Sequence, residues 1–168
     1  MIESTTTTKL LNWLKSRLIH GENGIVFNDD FSETFDTIQN FVSSVDQNLQ
    51  TPVIYYQAFP EESTREFLAT LTHELVSKLG KATLNCNQTL IEIIEAAALK
   101  MVIIDQSQLA PLDTIQSLLN FFGSRNIALI LVGSHSKMET AQVLSLATVS
   151  YWERFTASYK QESLSNFR

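Results

Sequence analysis

The nine residues Met101-Val102-Ile103-Ile104-Asp105-Gln106-Ser107-Gln108-Leu109 decide how this chain is read. A continuous apolar run ending in a single acidic residue signals a strand buried on both faces, as in a parallel sheet. In an open parallel sheet, ligands and chemistry gather at the carboxyl ends of the strands. Asp105 is therefore the first candidate site residue. Its neighbour Gln106 is the second.

Downstream, Pro111 and Asp113 open a helix through Ile115, Leu118, Leu119 and Phe122, closed by Gly123. Ile127 to Val132 is the most hydrophobic strand of all and ends at Gly133-Ser134. A helix over 137–146 then leads to a last strand near Val149-Ser150-Tyr151-Trp152. Upstream, Leu10, Leu11, Trp13, Leu14, Leu18 and Ile19 fit one face of a helix that Gly21 stops. Ile25-Val26-Phe27 is the first strand, and Ser32 caps a helix through Phe35, Ile38, Phe41, Val42 and Val45. Val53-Ile54-Tyr55-Tyr56 is the second strand. Ser63 or Thr64 caps a helix whose apolar face is Phe67, Leu68, Leu71, Leu75, Val76 and Leu79, and a further helix follows Asn87. Residues 1–8 are expected to be a frayed tail. Strands and helices alternate along the whole chain, which predicts an α/β fold: a five-stranded parallel sheet covered on both faces. No repeat or linker divides residues 1–168, so one domain is expected.

The 168-residue chain is long enough to bury a core, and 44% hydrophobic against 18% charged residues is a folded composition. A net charge of −6 opposes non-specific contact with a phosphate backbone, so direct DNA binding by the isolated chain is not expected. Lys9, Lys15 and Arg17 form the single basic cluster, also readable as a solvated helix face. The one cysteine, Cys86, has no partner for a disulfide or a metal pair. His20, His73 and His135 are scattered, so no metal site is expected. Neither a signal sequence nor a membrane span is recognisable, which makes the cytoplasm the expected location.

The Val102 to Leu109 segment resembles the Walker B segment of ATPases, where an Asp holds the magnesium shell and a following Glu orients the attacking water. Asp105 matches the first role, or else simply caps the next turn. Gln106 stands at the second position without a negative charge. Ser134 matches the polar residue that ends a sensor strand, although a tight turn after Gly133 explains it equally well. Arg154-Phe155 stands where an Arg-Phe pair often reaches a neighbour's nucleotide; the alternative is a lone exposed arginine. A phosphate-binding loop needs G-x-x-x-x-G-K-[ST] after the first strand, so that backbone N–H groups wrap the phosphates and the lysine neutralises them. Phe27-Asn28-Asp29-Asp30-Phe31-Ser32-Glu33-Thr34-Phe35 contains neither glycine nor lysine.

In order and spacing these pieces, over residues 22–157, resemble the transposon-encoded AAA+ regulators of the TniB type, ATPases that assemble on target DNA and recruit a transposase. The resemblance implies a P-loop NTPase-like three-layer α/β/α fold with strand order 5-1-4-3-2. The missing phosphate loop and the Gln106 replacement then point to a non-catalytic, ATPase-derived interaction or regulatory module. It would bind no cofactor and would work with a protein partner such as an AAA+ relative or a DNA-transaction complex. The alternative is an atypical ATP-binding and hydrolysing AAA+ protein in DNA transposition, using Asp105 and Ser134.

Overall fold

The computed structural model describes residues 5–27, 31–45, 52–79, 89–133, 148–153 and 158–163. Its elements run α1 (Thr5–His20), β1 (Gly24–Phe27), α2 (Phe31–Val45), β2 (Val53–Gln57), α3 (Thr64–Leu79), α4 (Leu90–Ala97), β3 (Met101–Asp105), a 3-10 turn (Ser107–Leu109), α5 (Leu112–Gly123), β4 (Ala128–Gly133), β5 (Thr148–Glu153) and β6 (Ser158–Ser163).

Four strands make a parallel core in the order β2-β3-β4-β1. β3 and β4 are buried at every position, as their unbroken apolar runs require. Successive side chains point to opposite faces, so each strand feeds two cores. Val53, Met101, Ile103, Ala128, Ile130 and Val132 pack with Leu10, Trp13 and Leu14 of α1 and Ile38, Phe41 and Val42 of α2. Ile54, Tyr56, Val102, Ile104, Leu129 and Leu131 pack with Phe67, Leu71 and Leu75 of α3, Ile93 and Ile94 of α4, and Ile115, Leu118 and Phe122 of α5. The result is a three-layer α/β/α arrangement.

Two expectations are corrected. Residues 5–8 are not a tail: Thr5–Thr8 form the first turn of α1. β-branched residues weaken an isolated helix, but helices in proteins take most of their stability from packing, and here Leu10, Trp13 and Leu14 supply it. The sheet also does not stop at five parallel strands. Beyond β1 come β5, parallel to it, and β6, antiparallel to β5. The sequence of β6, Ser158-Tyr159-Lys160-Gln161-Glu162-Ser163, has no apolar run, because an antiparallel edge strand does not need one. The helix expected over 137–146 lies outside the described residues.

Local signals fix the joints. Gly21 takes a left-handed φ of +65°, and Asn23 follows it with a side-chain Oδ1 that accepts the Leu129 amide at 2.9 Å. The end of α1 is thereby tied to the start of β4. Ser63 and Glu66 form a reciprocal cap at the start of α3, with Ser63 N–H to Glu66 Oε2 at 2.8 Å and Glu66 N–H to Ser63 Oγ at 3.2 Å. Those hydrogen bonds favour the charged carboxylate and hold the Glu66 pKa below its usual range. Thr89 and Glu92 repeat the same box at α4.

Candidate functional site at the carboxyl end of the sheet

The parallel register brings the ends of β2 and β3 side by side, with Gln57 opposite Asp105. The Ala58 amide donates to the Asp105 carbonyl at 2.9 Å, carrying the ladder one residue past the strand. By alternation from Met101 and Ile103, the Asp105 side chain lies on the α1–α2 face of the sheet. It is buried there.

A buried carboxylate has to be hydrogen-bonded, and Asp105 is bonded on both oxygens. Oδ1 accepts the Gln106 backbone N–H at 2.7 Å. Oδ2 accepts the hydroxyl of Tyr55, which reaches across from β2. Phe35 of α2 meets the Tyr55 ring edge-on, with centroids 5.9 Å apart. A continuous line of contacts thus runs from α2 through Tyr55 to Asp105. Burial, and then the hydrogen bond and negative charge of Asp105, push the Tyr55 phenol well above its ordinary value.

The next residue of β2 does the same on the other face. The Tyr56 hydroxyl donates to the buried carboxylate of Glu62, while Thr114 Oγ1 of α5 donates to the Glu62 carbonyl at 2.8 Å. Burial first, and then Glu62, raise the Tyr56 phenol as well. Two consecutive tyrosines therefore hold two buried carboxylates, one on each side of the sheet.

Gln106 adopts a left-handed φ of +50° and turns the chain into the 3-10 turn. Ser107 Oγ donates to the Val132 carbonyl at 3.1 Å, which ties the exit of β3 to the last residues of β4. Of the expected site residues, the structure places Asp105 and Gln106 together at this exit. Ser134 and Arg154 lie outside the described residues. The sequence reading missed Tyr55, Tyr56 and Glu62, because the Tyr55–Asp105 contact joins residues fifty positions apart. It also passed over Thr34. Set against the eight-position phosphate-loop pattern, Phe27 to Thr34 agrees only at its last position, and Glu33 stands where the pattern has lysine. Thr34 is buried in the first turns of α2.

The raised phenols have a consequence at high pH. A group whose folded pKa lies above its unfolded value adds stability that is complete below the unfolded value, here 10.0. That stability is lost as pH rises through the folded value. Unfolding midpoints in denaturant should therefore fall between pH ~10 and ~12 more steeply for the natural chain than for the Tyr55→Phe, Tyr56→Phe double variant. Equal slopes would show that neither phenol is held protonated by the fold.

A parallel β2-β3-β4-β1 sheet between helical layers, with an acidic residue at the end of β3, is the architecture of the P-loop NTPase-like class. The chain belongs to the AAA domain family, whose model matches residues 4–140. Among solved structures it is similar to a chain in the structure of Drosophila ORC bound to AT-rich DNA and Cdc6. That match has 17% identity, covers 88% of this chain and 53% of the other, and has a TM-score of 0.54. A weaker likeness, at 15% identity and TM-score 0.46, is to a chain from a structure of DNA unwinding at forked double-stranded DNA by two coordinating Pif1 helicases; it covers 80% of this chain and 34% of that one. The chain thus spans about half the length of the ORC-structure chain and a third of the helicase chain. No curated protein sequence matches it. Among the described residues, no helix is long and apolar enough to cross a membrane.

Proposed function

We propose that this chain, as one domain over residues 1–168, is a non-catalytic AAA-derived interaction or regulatory module that binds no nucleotide. The observation that carries the reading is the state of Asp105. Its two carboxylate oxygens each already accept a hydrogen bond inside the protein, from Tyr55 and from the Gln106 amide, and the side chain is buried, which leaves less of it to a metal's hydration shell. The residues present do not fit magnesium nucleotide on the phosphate side either. Asp29, Asp30 and Glu33 replace a cradle of backbone N–H groups and a lysine. One like-charge contact at about 4 Å costs on the order of 4 kcal/mol at an effective dielectric near 20. Gln106 brings no base to a bound water.

The order of motifs shared with TniB-type regulators, together with the likeness to a chain from the ORC complex, supports a place in a DNA-transaction assembly. Its partner there would be a protein, for example an AAA+ relative, in the cytoplasm. The net charge of −6 argues that DNA contact in such an assembly belongs to the partner.

Titration calorimetry with magnesium-ATP tests the reading, and no saturable heat is expected at micromolar protein. A saturable isotherm that disappears in Asp105→Ala would overturn it in favour of an atypical nucleotide hydrolase.

A further inference from the structure

At the opposite end of the sheet, where β3 and β4 begin, α4 and the turn after α5 border a half-open cavity of ≈ 340 Å³. That volume is in the range of small-molecule sites. Ile91, Ile94 and Ile127 give it an apolar wall, and Glu95, Lys100 and Arg125 bring charge to it. Ile91 is 41% exposed, a large aliphatic residue left open to solvent at this site.

The charges decide what fits. Glu95 neutralises neither cation: among the described residues, neither Lys100 nor Arg125 takes part in an ion pair. Arg125 is held in place from one side. Its Nη1 donates to the Phe121 carbonyl at 2.6 Å and to Ser124 Oγ at 2.9 Å, and its guanidinium carbon lies 4.1 Å from the Phe121 ring centroid. Both Nη1 protons are thereby engaged, while the Nε–Nη2 edge has no partner among the described residues. That edge is a planar two-donor fork matching a carboxylate, and a guanidinium already fixed in place loses little freedom when it binds. Lys100 adds a second, exposed cation.

We infer that this cavity binds a small amphipathic monocarboxylate, its carboxylate on the free fork of Arg125 beside Lys100 and its apolar body against Ile91, Ile94 and Ile127. The site is independent of the Asp105 end. Its occupant is a free small molecule, since the cavity volume suits a short aliphatic acid.

Octanoate serves as the probe, titrated into the full chain by calorimetry and by the methyl resonances of the isoleucines. Saturable binding with shifts at Ile91, Ile94 and Ile127 is expected. Octanamide, which keeps the body but not the charge, should bind about tenfold more weakly or worse, as should octanoate to Arg125→Gln. Lys100→Gln, at an exposed position where folding is not at stake, should weaken binding severalfold. Tyr55→Phe at the other end should leave it unchanged. Absence of saturation, equal affinity for octanoate and octanamide, or indifference to Lys100→Gln would each overturn the assignment.

Discussion

Replacing Phe122 with alanine is expected to destabilise the fold by about 3–5 kcal/mol, the range for a fully buried phenylalanine. Phe122, in the last turn of α5, has no exposed surface and packs into the second core. It also belongs to a chain of edge-to-face rings. Phe67 lies 6.4 Å from it and Phe121 5.2 Å, while Tyr56 meets Phe67 at 4.5 Å. Each such pair adds about 0.5–1.5 kcal/mol beyond the buried area, and truncation at Phe122 breaks two of them. The cavity left behind is enclosed by α3, α5 and the sheet, which limits collapse into it. Set against a typical total of about 5–15 kcal/mol, the loss is a large share of the whole stability. The melting temperature should fall by on the order of 10 °C. Ile91→Ala, on the exposed side of α4, should move it far less. A loss below about 1.5 kcal/mol for Phe122→Ala would show that the second core closes over the gap.

The second large effect concerns Asp105. Asp105→Ala removes the acceptor for both the Tyr55 hydroxyl and the Gln106 amide. Leaving a buried donor unpaired costs about 1–3 kcal/mol, and because these two are only partly buried a combined loss of about 2–4 kcal/mol is expected. Tyr55→Phe should cost about 1–2 kcal/mol, because it strips one donor from a buried carboxylate and leaves the other. The two changes act on one bond, so together they should cost less than their sum, with a coupling energy of about 1–3 kcal/mol. The cycle is read by urea unfolding of the four proteins. Additivity within about 0.5 kcal/mol would mean that Tyr55 does not hold Asp105 in solution. A residue at the magnesium-binding position of a working ATPase serves chemistry; here the same residue would serve the fold.

Much of the architecture was legible because burial on both faces writes itself into sequence as unbroken apolar runs. Met101–Ile104 and Ile127–Val132 could be read as inner strands, the resemblance to AAA+ regulators set them side by side, and the acid at Asp105 marked the carboxyl end of the sheet. Helix faces such as Phe67-Leu71-Leu75 were equally plain. Three things were not legible, each for its own reason. β6 is a polar edge strand, so hydropathy carries no trace of it. Thr5–Thr8 look unfavourable for a helix by local propensity, and only the packing of α1 overrides that. The partners of Asp105 and Glu62 depend on which face of β2 each tyrosine takes, and two adjacent tyrosines look alike until the register is known. The cavity near Arg125 was equally invisible, because its residues come from α4, the approach to β3 and the turn before β4.

The strand order also bears on how the chain is made. β1 has no sequence neighbour in the sheet; it lies between β4 and β5, with Gly24 beside Ile130 on one side and Ser150 on the other. On a ribosome, Phe27 at the end of β1 emerges about a hundred residues before Ala128 begins β4, the earlier of its two partners. Until then Ile25 and Val26, fully buried in the finished protein, have no sheet to enter. β2 and β3 can pair meanwhile, but the α1–β1 end stays open, and such delayed long-range pairing is slow and prone to association with other chains. The Asn23 bond to the Leu129 amide forms only at that late step, so it acts as a clasp closed once synthesis has passed the middle of β4.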